Sequence, residues 1–311
     1  MNNTPVIDLN NNPSPQEVVE ILHKTSCLIV KDNTINFDDN EKFKNLMYDY
    51  FLQPTKELLK DTKPETGYQI GITPERMEVS KCSRDQKCLD FIKKYNLDVK
   101  VTNEKDPKWR YFWKVNETDN VIPEKFKDTW ENTMNEWGNK MVNVVEKVTK
   151  LIEQGLSLEE NVLLSKLKGG KHLLAPTATD LTKYNKEGTV FASFHNDISF
   201  LTIHGKSNTP GLRIWLRTGE EIKVSVPDGC LLLQVGRQLE WLTGGYFEAG
   251  FHEVISMKNN TNYKWRISST LFTHINSEEY LEPLEQFKNN NYPRIKEEDF
   301  INEELKITNL L

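Results

Sequence analysis

The chain has 311 residues, 37% hydrophobic and 10% aromatic, enough apolar material for one substantial core. Its net charge of −6 and pI near 5.7 leave no basic excess for a phosphate backbone, so nucleic acid is not an expected partner. No stretch approaches the roughly 20 apolar residues of a membrane span. Met1-Asn2-Asn3-Thr4-Pro5 lacks the basic and apolar regions of a signal peptide, so a soluble, cytoplasmic and monomeric protein is expected. On that expectation the Asn259-Asn260-Thr261 sequon goes unused. Cys27, Cys82, Cys88 and Cys230, without Cys-x-x-Cys spacing, are then reduced thiols.

Pro5-Val6-Ile7-Asp8-Leu9 reads as a short strand, and Pro13-Ser14-Pro15 starts a helix over Gln16 to Lys24 with Ser14 as its cap. Cys27 to Val30 has the texture of a buried strand. Phe43, Leu46, Met47, Tyr50 and Phe51 recur at helical spacing and predict one helix from Asp38 to Leu59. A loop is expected from Gly67 to Pro74 and a short helix from Asp85 to Tyr95. Trp109, Tyr111, Phe112 and Trp113 form an aromatic cluster suited to packing under the N-terminal layer. Pro123 opens the longest helix. Along it Phe126, Trp130, Met134, Trp137, Met141, Val145, Val148 and Ile152 make an apolar stripe that must meet a sheet or another helix, until Gly155 ends it.

From about Leu173 the texture turns to strands: Phe191–Ile203, Gly211–Leu216, Ile222–Val226, Cys230–Gln234, His252–Ser256 and Trp265–Phe272. Turn residues such as Pro227-Asp228-Gly229 separate them, a rhythm that suggests an antiparallel jelly roll of the cupin sort. Leu284 to Leu311 is polar and is expected to form helices on the outside. The division expected is an N-terminal αβ region over 1–120, then the long helix and β core over 121–311.

The chemistry-bearing residues fall in the β-rich part. His195 and Asp197 are two apart in an apolar run that reads as one strand, so both point to the same face. His252, 55 residues after Asp197 and entering a strand from a glycine-containing turn, is the candidate third ligand. Two imidazoles and one carboxylate on one face of an octahedron hold Fe(II) and leave three positions open. His23, His172, His204 and His274 lack comparable settings; His204 on a straight strand falls roughly 30 Å from His195. Arg266, in an apolar setting 14 residues after His252, offers a guanidinium fork to a carboxylate, and Ser268 shares its face. Taken alone, Arg266 would pass for a surface strand arginine.

Taken in order, these residues resemble the isopenicillin N synthase-like group of iron(II)/2-oxoglutarate-dependent oxygenases. The likeness runs through Thr4-Pro5-Val6-Ile7-Asp8-Leu9, His195-Asn196-Asp197 with Phe200-Leu201-Thr202, Pro210-Gly211-Leu212 and Val226-Pro227-Asp228-Gly229. It continues through Gln234-Val235-Gly236, Leu242-Thr243-Gly244-Gly245, His252 and Arg266-Ile267-Ser268. The resemblance implies a distorted double-stranded β-helix core backed by the long helix, with Fe(II) on His195, Asp197 and His252. It implies 2-oxoglutarate on Arg266 and Ser268, with dioxygen and a small-molecule substrate as partners and hydroxylation, desaturation or ring closure as outcomes. Three departures stand out. The Asn-x-Tyr-Pro segment of many relatives is replaced by Leu173 to Asp180, with Thr177, Thr189 and Ser193 as candidate substitutes. Glu253 follows His252 where arginine is common, and Arg237 to Trp241 replaces an acidic stretch. Trp241, Phe247, Arg213 and Tyr68 are candidate substrate contacts. Two alternatives remain open: an iron oxidase of the same fold that needs no 2-oxo acid, and a non-catalytic ligand-binding member.

Overall fold

The computed structural model describes residues 5–257, 261–308 and 310; Thr4 and the sequon's Asn259 and Asn260 lie outside the described residues. In chain order, β1 (Val6–Asp8), α1 (Pro15–Thr25) and β2 (Cys27–Lys31) open the fold, and Ser14 Oγ accepts from Glu17 N as the cap of α1. The single helix expected to Leu59 is two, α2 (Phe37–Phe51) and α3 (Thr55–Leu58). Pro54 between them explains the break, because it has no N–H to continue the helical ladder. The loop expected before Pro74 contains strand β3 (Gly71–Thr73), followed by α4 (Gln86–Tyr95), β4 (Trp109–Lys114) and the long α5 (Trp130–Gly155). Short α6 (Leu164–Leu167), β5 (Leu173–Leu174), β6 (Thr177–Asp180) and α7 (Leu181–Tyr184) lead into β7 (Val190–His195) and β8 (Leu201–Gly205). Then come β9 (Leu212–Trp215), β10 (Glu221–Lys223), β11 (Cys230–Val235), α8 (Arg237–Leu242), β12 (Phe251–Ile255) and β13 (Trp265–Phe272). The chain finishes with β14 (Tyr280–Leu281), β15 (Ile295–Lys296) and α9 (Glu297–Ile307).

The strands form a jelly roll of two sheets, with β14 and β15 paired apart from it. The larger runs β1-β2-β11-β8-β13-β5-β4-β3, with β6 pairing β13 and β4; the smaller runs β10-β9-β12-β7. The apolar stripe of α5 packs behind the larger sheet in one continuous core with β8, β11 and β13. There Trp137 Nε1 donates to Ser269 Oγ at 2.6 Å. Deep burial of this stripe is the main stabilising term, at about 25 cal/mol for each Å² of apolar surface removed from water. Among the described residues no helix is long and apolar enough to cross a membrane.

Cys82 and Cys88 form a disulfide, with Cα atoms 5.2 Å apart, and only Cys27 and Cys230 are free. The C-terminal segment lies on the outside as expected, with Glu298, Asp299, Glu303 and Lys306 of α9 exposed, but it does more than cover the core. Helix α9 turns Glu297, Ile301, Glu304 and Leu305 inward, at the i, i+4, i+7, i+8 spacing of one helix face, onto an internal chamber.

Candidate metal centre and its two chambers

The run from Phe191 to Ile203 is not one strand. β7 stops at His195, the chain turns through Asn196–Phe200, and β8 begins at Leu201. The turn survives burial because its backbone groups find distant partners. Phe200 N donates to Thr273 O at 2.7 Å, Arg237 N to Asp197 O at 2.8 Å and Gly236 N to Phe200 O at 3.1 Å. Gly236 is needed for that approach, since a Cβ there would meet Ser199 O at 2.0 Å. The fold-back carries His204 next to the site, its ring 6.4 Å from that of His252, so the 30 Å separation of a straight strand does not hold.

His195 and His252 stand opposite each other on β7 and β12, with ring centroids 4.3 Å apart. Asp197, just past the strand end, places Oδ1 3.5 Å from His195 Nε2 and Oδ2 3.8 Å from His252 Nε2. One ligand atom from each lies within 4.8 Å of the others, the only such His/Cys/Asp/Glu group among the described residues. His195 Nδ1 donates to Ser193 O at 2.6 Å, which fixes the tautomer and leaves the Nε2 lone pair facing the centre. His252 Nδ1 faces Gly250 O at 3.4 Å. Thr202 Oγ1 donates to Asp197 Oδ2 at 2.7 Å and orients the carboxylate. Burial pulls the Asp197 carboxyl upward, but His252 and His195 hold it well below the usual carboxylate range. Burial and the neighbouring His195 push His252 down to about 3, so its imidazole is neutral. Two imidazole nitrogens and an ionised carboxylate with one side open are the donor set that suits Fe(II).

The triad stands between two chambers. The smaller, about 300 Å³, lies between the sheets and is lined by His195, Asp197, His252, His204, Arg266 and Ser268. Arg266 is buried and its Nε has no partner. No carboxylate pairs with it among the described residues. Burial lowers the guanidinium to about 10, a cost that an incoming carboxylate would relieve. The residues therefore fit an acidic co-substrate. Among the described residues Ser268 Oγ donates only to Thr177 O, at 3.4 Å, and is available to the same ligand. His204 is held by Gln234 Oε1 at 3.0 Å and Thr270 Oγ1 at 3.1 Å, which makes it floor rather than ligand.

The larger chamber, about 470 Å³, lies on the other side of His195 and Asp197, walled by Val79, Phe112, Leu173, Phe272, Ile275 and Ile301. Buried ion pairs frame it. Lys108 joins Glu78 at 2.8 Å and Asp106 at 2.9 Å, Arg110 joins Glu78 at 3.0 Å, and Asp106 accepts from both the backbone and hydroxyl of Ser193. Burial would raise the Glu78 carboxyl, yet Arg110 and Lys108 hold it at about 2. Lys81 Nζ donates to Asn196 Oδ1 at 2.9 Å and pairs with Glu304 at 2.6 Å, clamping the turn between the two first ligands.

The four candidate substrate contacts lie elsewhere: Phe247 is buried in the core, Trp241 donates to Pro293 O, Arg213 is paired with Glu221 and Glu253, and none of these three or Tyr68 lines the chamber. Of the proposed substitutes for the missing co-substrate segment, Thr177 lines the smaller chamber, Ser193 is engaged by Asp106, and Thr189 lines neither chamber. Sequence reasoning missed Arg110, Lys81 and Glu78. The signal for Arg110 was its alternation with Tyr111 and Trp113, which sets it and Phe112 on the opposite face of β4.

Residues 181–275 match the 2OG-Fe(II) oxygenase superfamily. Scopoletin 8-hydroxylase of Arabidopsis thaliana is 23% identical across 96% of this chain and 79% of its own length. Among solved structures, a full-length Neurospora crassa protein in complex with alpha-KG superposes with a TM-score of 0.77 at 17% identity, covering 97% of this chain and 95% of that one. JOX2 in complex with 2OG, Fe and JA gives 0.75 at 16% identity, over 98% and 85%. The matched segment holds His195, Asp197, His252, Arg266 and Ser268, and it is over this segment that the chain is similar to the 2OG-Fe(II) oxygenase superfamily.

Proposed function

We propose that this chain is an Fe(II)- and 2-oxoglutarate-dependent oxygenase that oxidises a C–H bond of a small molecule. His195, Asp197 and His252 would hold the iron, and Arg266 with Ser268 the far carboxylate of 2-oxoglutarate. When bound, iron and 2-oxoglutarate would together supply the oxidising power, with succinate and carbon dioxide as the co-products. The protein's share is to keep three coordination positions free, hold Asp197 through Thr202, and confine the substrate in the larger chamber away from water. The observation that carries the reading is Arg266: a buried guanidinium without a carboxylate partner among the described residues, in the same chamber as the triad. It favours this reading over a 2-oxo-acid-independent oxidase of the same fold. The mostly apolar chamber of about 470 Å³ fits a small molecule rather than a polymer.

The test is turnover. Fe(II)-loaded protein supplied with 2-oxoglutarate and air should release succinate and carbon dioxide in equal amounts, faster when a substrate is present. Substrate oxidation without succinate would transfer the chain to the 2-oxo-acid-independent oxidases. Failure to bind Fe(II) at all would leave a ligand-binding protein.

A further inference from the structure

The smaller chamber carries a second guanidinium. In the strand register Arg110 of β4 stands opposite Thr177 of β6, and Thr177 opposite Ser268 of β13. These three make one row across the sheet. Residues two positions along a strand share its face, so Thr179 and Arg266, paired to each other, make the next row on the same side. All five line the smaller chamber. Arg110 alone among them also lines the larger one, as His195 and Asp197 do, so it stands at the metal end while Arg266 stands at the far end.

Arg110 is held in place with donors to spare. Nε donates to Thr177 Oγ1 at 3.4 Å, Nη1 pairs with Glu78 Oε1 at 3.0 Å, and the rings of Phe112 and Phe272 flank the guanidinium at 5.4 and 5.6 Å. Nη2 has no hydrogen bond or ion pair among the described residues. Thr177 is short, which lets the arginine cross over it. A 2-oxo diacid carries two negative charges, and Arg266 answers one.

We infer that Arg110, braced by Thr177, binds the metal-proximal carboxylate of the 2-oxo acid and takes the place of the Asn-x-Tyr segment this chain lacks. The inference rests on the co-substrate reading above. The two arginines then divide the ligand, Arg266 reading the distal carboxylate and Arg110 the one beside the keto group. A planar, stacked guanidinium suits that task because its fork is already oriented before the ligand arrives.

Anaerobic calorimetry on the Fe(II)-loaded protein separates the roles with two probes, 2-oxoglutarate and 2-oxobutanoate, which lacks the distal carboxylate. Arg266→Gln should weaken 2-oxoglutarate about a hundredfold and leave 2-oxobutanoate within about threefold. Arg110→Gln should weaken both acids by the same factor, about tenfold or more, and Arg110→Lys should recover part of it. Wild-type affinity of Arg110→Gln for both acids, or loss of the diacid alone, overturns the inference. If Arg110→Gln does not fold or no longer binds Fe(II), Thr177→Val decides: weaker binding of both acids supports the inference, and unchanged binding of both overturns it. A wild-type protein that binds Fe(II) but neither acid overturns the co-substrate reading itself, and this inference with it.

Discussion

Replacing Arg266 by methionine should stabilise the unliganded fold and abolish its response to 2-oxoglutarate. The guanidinium is charged at every working pH, and its fall from the ordinary 12.5 to about 10 corresponds to about 3 kcal/mol set against the unliganded fold. Methionine has a straight chain of similar reach, and imperfect packing costs the variant about 1 kcal/mol. The net gain is then about 2 kcal/mol, or a melting temperature higher by about 4 °C in a domain of this size. In the wild type, 2-oxoglutarate at about a hundred times its Kd adds about 2.7 kcal/mol, and the variant should lose that gain. Thermal unfolding of the metal-loaded proteins, with and without 2-oxoglutarate, reads both effects. A variant that melts several degrees below the wild type, or still rises with ligand, would refute the claim that Arg266 waits unpaired for a carboxylate.

Thr202→Val removes the hydroxyl that orients Asp197 and should weaken Fe(II) binding by about tenfold to a hundredfold, as a metal titration would show; unchanged affinity would rule out the positioning role. Burial holds His172 at about 4 and His274 at about 3, below the unfolded value of 6.5. The unfolded chain therefore takes up more protons than the folded one as pH falls below 6.5, and stability should drop with acidification from pH 6.5 to 5. Glu297, raised by burial to about 7, works in the opposite direction between pH 7 and 4.5, so the net slope from these three groups is small at pH 6.5 and reaches about 1.4 kcal/mol per pH unit near pH 5. Denaturant midpoints that stay flat over that range would contradict the burial of the two histidines. Cys82 and Cys88 are six residues apart, and closing so short a loop constrains the unfolded chain by about 2 kcal/mol. Replacing both by serine should lower unfolding stability by that amount, and no change would argue that the pair is not bridged in solution.

The three metal candidates were legible because side-chain spacing survives folding: His195 and Asp197 stay two apart whether or not a strand joins them, and His252 enters β12 from its turn as expected. The strand break at Asn196–Phe200 was not legible, since Ile198 and Phe200 continue the β-like pattern while the turn's hydrogen bonds come from Thr273, Gly236 and Arg237. A local pattern carries no trace of partners that far away, and the position of His204 was misjudged for that reason. Arg110 was hidden by its distance of 85 residues from His195 and by its aromatic neighbours, which drew attention as core. Helix α9 looked like surface because Glu297 and Glu304 occupy its inward face. A carboxylate turned inward is intelligible only once Lys81 and Gln238 are seen to meet it.

The placement of the two chambers bears on how such an enzyme could be retargeted. The proposed iron ligands and Arg266 come from strands β7, β12 and β13 and the turn after β7, whereas much of the larger chamber's wall is drawn from residues 66–119 and 297–310. A chimera that takes only those two segments from a relative, with Arg110 kept, would change the substrate wall while leaving the metal-bearing region intact. Lys81–Asn196 and Asp106–Ser193 are the seams of such a graft. A donor lacking either contact would import a new specificity together with a loosened ligand turn.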